Sequence, residues 1–278
     1  RDAVTHTRCE GSAKMLVATL VAVAASDFTF SAAPPAQVGP SDARYASKPS
    51  VDGRKTLVGG RVTKFNGPVI DVTSPVHDAT TGQRAVIGSM AQMGADEAIA
   101  AVEAASVAWA GGQGVWPQMP LSDRIAAIEE VVRELRGRRD AIVNVLMWEI
   151  AKTSKDAAAE FDRTMDFVGK TISTLRELDA QTASWRTVGG VLAWVRRAAI
   201  GIMMLLGPYN YPFNETYAVL IPALLMGNCV VMKLPAIGGL AHILTMETFA
   251  KVLPPGVVNF VSGSGRATVA PVMRTGLV

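Results

Sequence analysis

From Val62 to Val76 apolar and β-branched residues alternate with polar ones, with breaks at Asn66-Gly67-Pro68 and Ser74-Pro75. This pattern predicts strands joined by a tight turn. A helix is predicted from Gly94-Ala95-Asp96-Glu97, with acids in its first turn, to Trp109, where Gly111-Gly112 stop it. Beyond Pro120, the residues Leu121, Ile125, Ile128, Val132 and Leu135 recur at intervals of 4, 3, 4 and 3, the stripe of a helix with one buried face. Gly137 ends it. A third helix, 140–152, is apolar almost all round and so predicted to be buried. A fourth runs from 154 to about 178 on Phe161, Met165, Val168, Ile172 and Leu175. Arg163 lies about 200° round that helix from Phe161, off the core face. A surface pairing with Glu160 or Asp166 is one reading of it.

The pattern then changes. Gly189-Gly190 and the residues to Arg197 predict a hairpin or edge strand. Three near-continuous apolar runs follow, 199–206, 228–234 and 257–262, separated by helical stretches at 213–226 and 239–251. Buried strands alternating with helices predict an α/β fold: a Rossmann-like parallel sheet with right-handed crossovers, preceded by a helical segment. Residues 275–278 read as the entry to a further strand, so the fold is expected to be truncated.

Chemistry concentrates where these strands end. Asn210 lies between Tyr209 and Tyr211, just before Pro212, where its amide is expected to be sheltered from solvent. A side-chain amide fixed at a strand end can donate to a developing oxyanion. Lys233 closes the run Val230-Val231-Met232 and puts a cation at the carboxyl edge, where ligands of open α/β sheets bind. Gly263-Ser264-Gly265 sits between a strand and a helix, where a Gly-x-Gly turn allows close backbone approach to a nucleotide. Cys229 lies inside an apolar strand, where a thiol is a small hydrophobe.

The stretch 207–234 resembles the aldehyde dehydrogenase superfamily. The resemblance rests on Gly207-Pro208-Tyr209-Asn210-Tyr211-Pro212, on Ile221-Pro222-Ala223-Leu224, and on Gly227-Asn228 followed by the strand to Lys233. It runs from about residue 60 to the end and covers the amino-terminal half of such an enzyme. It implies Asn210 as the oxyanion-hole asparagine and Lys233 as a contact to the adenosine ribose of a nicotinamide cofactor. Gly207 and Pro208 would face the nicotinamide ribose, and Gly263 and Gly265 the adenosine pocket. Glu160-Phe161-Asp162-Arg163-Thr164 is similar to an element of the non-phosphorylating glyceraldehyde-3-phosphate branch, which implies that Arg163 and Tyr211 contact a substrate phosphate. An arginine fork suits such a dianion. A packing aromatic is the other reading of Tyr211.

NAD-preferring relatives carry a glutamate three residues past the lysine, where this chain has Ala236. A carboxylate there would repel a 2′-phosphate by roughly 1–4 kcal/mol. The expected cofactor is therefore NADP, with NAD the alternative. No metal site is expected. The family's general-base glutamate and nucleophilic cysteine lie downstream of the lysine strand, and neither has appeared by Val278. An aldehyde must meet a thiolate before hydride can leave, so the chain alone is expected to be inactive. A non-catalytic homologue serving as a nucleotide-binding or scaffold module is the alternative. The resemblance also implies a homo-oligomer built through a hairpin arm, with 188–197 as part of it.

Composition narrows the partners. Hydrophobic residues make up 49% of 278, ample for a core, and the net charge is only +3. The basic residues are dispersed, which argues against nucleic acid. The one cluster, Arg133, Arg136, Arg138 and Arg139, falls at a helix end, where cations suit the macrodipole. Two cysteines suit a reducing compartment such as the cytoplasm. Residues 1–58 read as a leader. Its apolar run after Met15 is too short to span a bilayer and resembles a secretory h-region. The stretch to about Lys55, poor in acid, resembles an organelle transit segment, so a plastid or other organelle is the alternative location.

Overall fold

A computed structural model of the chain describes residues 47–77, 81–182, 184–194 and 196–278. The expected leader, with Cys9 and the run after Met15, lies outside the described residues as far as residue 46. Its last part does not. Strand β1 (Lys55–Val58) turns through Gly59-Gly60, at φ 60° and 78°, into β2 (Arg61–Lys64) and pairs with it antiparallel. The expected boundary at residue 59 thus falls inside a hairpin. The pairing expected within 62–76 is corrected for the same reason. Two left-handed glycines make the tight turn that suits strand twist, so β2 pairs backward, while β3 (Val69–His77) pairs forward with β4 (Arg84–Ala91).

Helix α1 (Ala95–Trp109) begins at Gly94, whose N–H donates to the Glu97 carboxylate at 2.8 Å. It ends where Ala110, Gly111 and Gly112 turn left-handed. The short α2 (Val115–Gln118) buries Trp116, whose indole N–H donates to the Leu224 carbonyl at 3.1 Å. Next, α3 (Leu121–Gly137) buries Ile125, Ile128, Val131 and Leu135, with Leu121 and Val132 at the margin. Helix α4 (Arg139–Ile150) is largely interior, and α5 (Ser154–Thr182) extends past the expected 178. Three of the four clustered arginines are held in surface pairs: Arg133 with Glu130, Arg138 with Glu247, and Arg139 with Asp162. Strands β5 (Arg186–Val188) and β6 (Val191–Ala193) form a hairpin across Gly189-Gly190, with Trp185 and Trp194 rings 5.7 Å apart at its base.

The remaining elements are β7 (Ile202–Leu206), α6 (Pro212–Leu225), β8 (Cys229–Lys233), α7 (Leu240–Ile243), α8 (Met246–Val252), β9 (Val258–Val261) and α9 (Gly265–Arg274). The single helix expected over 239–251 is broken between α7 and α8. There the Thr245 hydroxyl donates to the His242 carbonyl at 2.7 Å, and Arg138 donates to the Leu244 carbonyl at 3.0 Å. Both carbonyls are drawn out of a continuous helical ladder. The sheet order is β2-β1-β9-β8-β7, with β7, β8 and β9 parallel. It is mixed rather than purely parallel, because β1 meets β9 antiparallel at Leu57 and Phe260. Among the described residues no helix is long and apolar enough to cross a membrane.

Small residues let α1 lie close on this sheet. Ala98, Ala101, Val102 and Ala105 are buried, and a Cβ on Gly256 would come within 2.5 Å of the Ala104 carbonyl. Ala101→Leu should therefore overpack the layer and cost about 1–3 kcal/mol. A urea midpoint lowered at unchanged slope is the expected reading.

Candidate active site

The parallel register brings the carboxyl ends of β7, β8 and β9 to one level. Leu206 stands opposite Lys233, and Lys233 opposite Val261. The segments leaving these ends hold the expected site residues: Gly207, Pro208, Asn210 and Tyr211 after β7, Ala236 after β8, and Gly263 and Gly265 after β9. Asn210 and Lys233 thus belong to neighbouring strand ends on the same edge.

The turn after β7 is held from several sides. A Cβ on Gly207 would lie 2.4 Å from the Thr216 hydroxyl of α6, so only glycine lets the chain pass there. Helix α6 starts at Pro212, which has no N–H to satisfy. The next two amides, Phe213 and Asn214, donate to one oxygen of Glu160 at 3.0 and 3.1 Å. Glu160 reaches in from α5, fully buried, and its second oxygen takes the Lys152 ammonium. A carboxylate here meets two orphan donors and the positive end of the helix dipole. The Asn214 side chain does not cap this helix; its oxygen accepts from the Thr164 hydroxyl at 3.2 Å.

Lys152 completes a cluster with Tyr211 and Arg163. Its Nζ stands 3.6 Å from the centre of the Tyr211 ring, and the Arg163 guanidinium carbon stands 5.9 Å from it. The surface pairing of Arg163 with Glu160 or Asp166 is not what forms. Glu160 is occupied by Lys152, and Asp166 pairs with Lys170. Asn210 differs from expectation too. It is exposed to solvent, and Tyr209 and Tyr211 are exposed beside it, because the turn projects past the sheet edge and the two rings do not close over the amide.

On the other strand ends, Lys233 is half-buried, and burial alone lowers its pKa, with no carboxylate offsetting it. Gly263 is buried at φ 116°, and a Cβ there would lie 2.6 Å from the Met93 carbonyl. Beside it the Ser262 hydroxyl donates to the Ala91 carbonyl at 2.8 Å. Gly265 is exposed at the start of α9, which is capped by the Ser264 hydroxyl accepting from the Ala267 amide at 3.2 Å. Ala236 is exposed on the loop after β8. Cys229 is buried in β8, and burial pushes its thiol up to about 12, so it stays protonated and out of reach.

The sequence profile of the aldehyde dehydrogenase family matches residues 66–276. The chain belongs to that family. It is 30% identical over 158 residues to an NADP-dependent glyceraldehyde-3-phosphate dehydrogenase of Streptococcus equinus, a match covering 55% of this chain and 33% of the relative. It is 27% identical over 178 residues to an N-succinylglutamate 5-semialdehyde dehydrogenase of Pseudomonas fluorescens (strain Pf0-1), covering 64% and 35%. Among solved structures it superposes on the NADP-dependent glyceraldehyde-3-phosphate dehydrogenase of Bacillus halodurans C-125 complexed with NADP. The TM-score is 0.66 at 27% identity, covering 79% of this chain and 45% of that one. The chain therefore spans about a third of the curated relatives it matches and under half of the solved one. The chain carries the amino-terminal half of the aldehyde dehydrogenase fold.

Three residues hold this edge in roles the sequence reading did not give them: Lys152, Glu160 and Glu149. Glu149 carried a signal, a carboxylate within a helix otherwise apolar almost all round. It is buried and accepts from the Gly238 amide at 2.8 Å and the Leu240 amide at 3.1 Å, fixing the loop after β8. Burial raises it from the ordinary 4.5 to about 7, against the opposing pull of those backbone donors. The folded state therefore holds the proton more tightly than the unfolded one. The stability this contributes is complete below about pH 4.5 and lost as pH rises through about 7. Glu149→Gln should remove that slope, seen as a flatter plot of thermal midpoint against pH between 4.5 and 7 than the parent protein gives.

Proposed function

We propose that the complete protein oxidises an aldehyde to its acid with NADP, glyceraldehyde 3-phosphate being the preferred substrate, and that this chain supplies the cofactor edge and the oxyanion donor. The observation that carries the reading is the half-buried Lys233 ammonium, uncompensated by any carboxylate among the described residues, at a strand end level with the turn bearing Asn210. A desolvated cation without a partner is costly and invites an anionic or hydroxyl-rich ligand. Gly207 and Gly263 fix the path of the two turns at this edge, since a Cβ on either would strike protein, the Thr216 hydroxyl or the Met93 carbonyl.

In this reading Lys233, Gly207, Pro208, Gly263 and Gly265 hold the cofactor, and Ala236 leaves room for a 2′-phosphate. When bound, the nicotinamide accepts the hydride that leaves the aldehyde carbon. Asn210 donates its amide to the carbonyl oxygen as negative charge grows there, an interaction that strengthens along the reaction. Its exposure fits a role toward a substrate and toward parts of the enzyme that this chain does not contain. Arg163 and Tyr211 hold the substrate phosphate, with Lys152 adding positive potential behind the ring. The N-succinylglutamate 5-semialdehyde relative supports a second reading: an aldehyde ending in a carboxylate would meet the same arginine and tyrosine. The exposed β5-β6 hairpin is proposed as part of a contact between copies of the full-length protein.

A charge-assisted hydrogen bond is worth about 1.5–3 kcal/mol. Arg163→Leu should therefore raise KM for glyceraldehyde 3-phosphate by about 10- to 100-fold while leaving KM for propanal within twofold. Steady-state kinetics on both substrates checks this, and equal effects on the two would end the phosphate assignment. Ala236→Glu should weaken NADP at least fivefold relative to NAD, from roughly 1–4 kcal/mol of repulsion. Competitive binding of the two cofactors is the measurement, and an unchanged ratio would remove Ala236 from the specificity argument.

A further inference from the structure

Two loops meet at the carboxyl edge: 207–212, which carries Asn210 and Tyr211, and 234–239, which carries Ala236. They pack against each other at Gly238. A Cβ on Gly238, at φ 84°, would fall 2.6 Å from the Pro212 ring and 3.5 Å from the Tyr209 carbonyl, so the second loop lies directly against the first. Neither loop is anchored by the sheet alone. Each is tied by a buried carboxylate from the helices packed outside it, Glu160 of α5 to the Phe213 and Asn214 amides and Glu149 of α4 to the Gly238 and Leu240 amides.

The two ties differ in kind. Glu160 is compensated by Lys152, which in turn lies over the Tyr211 ring, so charge pair, helix start and aromatic form one connected unit. Breaking a buried pair by removing one partner leaves the other charge stranded. Glu149 accepts from backbone amides, and among the described residues no cation pairs with it. Carboxylates are rarely this buried without a ligand or a structural task. Here the geometry gives each a task, to hold one loop at one end of the candidate site.

We propose that Glu160 and Glu149 are positioning residues with separable effects. Glu160 sets the oxyanion turn, and Glu149 sets the loop that borders the cofactor's adenosine end. This inference rests on the cofactor reading given above. A side-chain amide keeps one acceptor oxygen and puts an NH2 donor in place of the other, so Glu→Gln variants weaken each tie without emptying its space.

The test uses the complete protein and compares Glu149→Gln with Glu160→Gln. NADP affinity is measured by calorimetry without aldehyde, and turnover by steady-state kinetics. Glu149→Gln should weaken NADP at least fivefold with kcat within twofold. Glu160→Gln should lower kcat at least tenfold with NADP affinity within twofold. Parallel losses in both variants, or no change in either, would overturn the proposal. A parent protein that fails to bind either NADP or NAD would instead overturn the cofactor reading. Hydrogen exchange on the parent protein guards against variants that do not fold. The Phe213, Asn214, Gly238 and Leu240 amides should exchange at least a hundredfold more slowly than that of Arg266, a residue exposed in the first turn of α9. Equal rates would also refute the proposal.

Discussion

The parallel hydrogen-bonded pairing of β7, β8 and β9 is the constraint from which the candidate site follows. It sets Leu206, Lys233 and Val261 side by side, and the chain must then leave the sheet three times along one edge. Each exit is a segment too short to bury its own backbone amides. Those amides must find partners elsewhere or face solvent. The edge that holds the candidate site is thus also one where backbone amides need side-chain partners.

Side chains from the outer helices and from the flank of β4 meet that demand. Glu160 caps α6, Glu149 holds the loop before α7, and the Met93 sulfur accepts from the Ser262 amide at 3.3 Å. These interactions are long-range in sequence, and two of them bury a carboxylate. Burying such a group is unfavourable unless its hydrogen bonds are made. The same bonds leave the turns with little freedom, so the segments that carry Asn210 and Ala236 are held from outside the sheet.

Much of this was legible from residue order, because local pattern determined it. The stripes on α3 and α5, the buried runs of β7, β8 and β9, and the glycine of the turn after β9 follow from periodicity and backbone freedom. What was not legible involves partners far apart in the chain. Nothing local says that Glu160 would abandon Arg163, three residues away, for Lys152 and the start of α6. The pairing of β2 was misread because Asn66-Gly67 looked like the stronger hairpin turn, whereas Gly59-Gly60 made it. The shelter expected for Asn210 presumed that flanking tyrosines close over an amide, and whether rings close depends on what packs against their outer faces. The break between α7 and α8 likewise depends on Arg138, a distant residue taking one carbonyl.

The depth of Cys229 has a practical consequence. Its sulfur sits inside the central strand of the parallel trio, protonated and shielded, so maleimides, iodoacetamide and peroxide in solution meet no nucleophile there. Loss of activity on treating the complete protein with such reagents would therefore report on sulfur outside this strand, and the strand itself would contribute no background to the labelling.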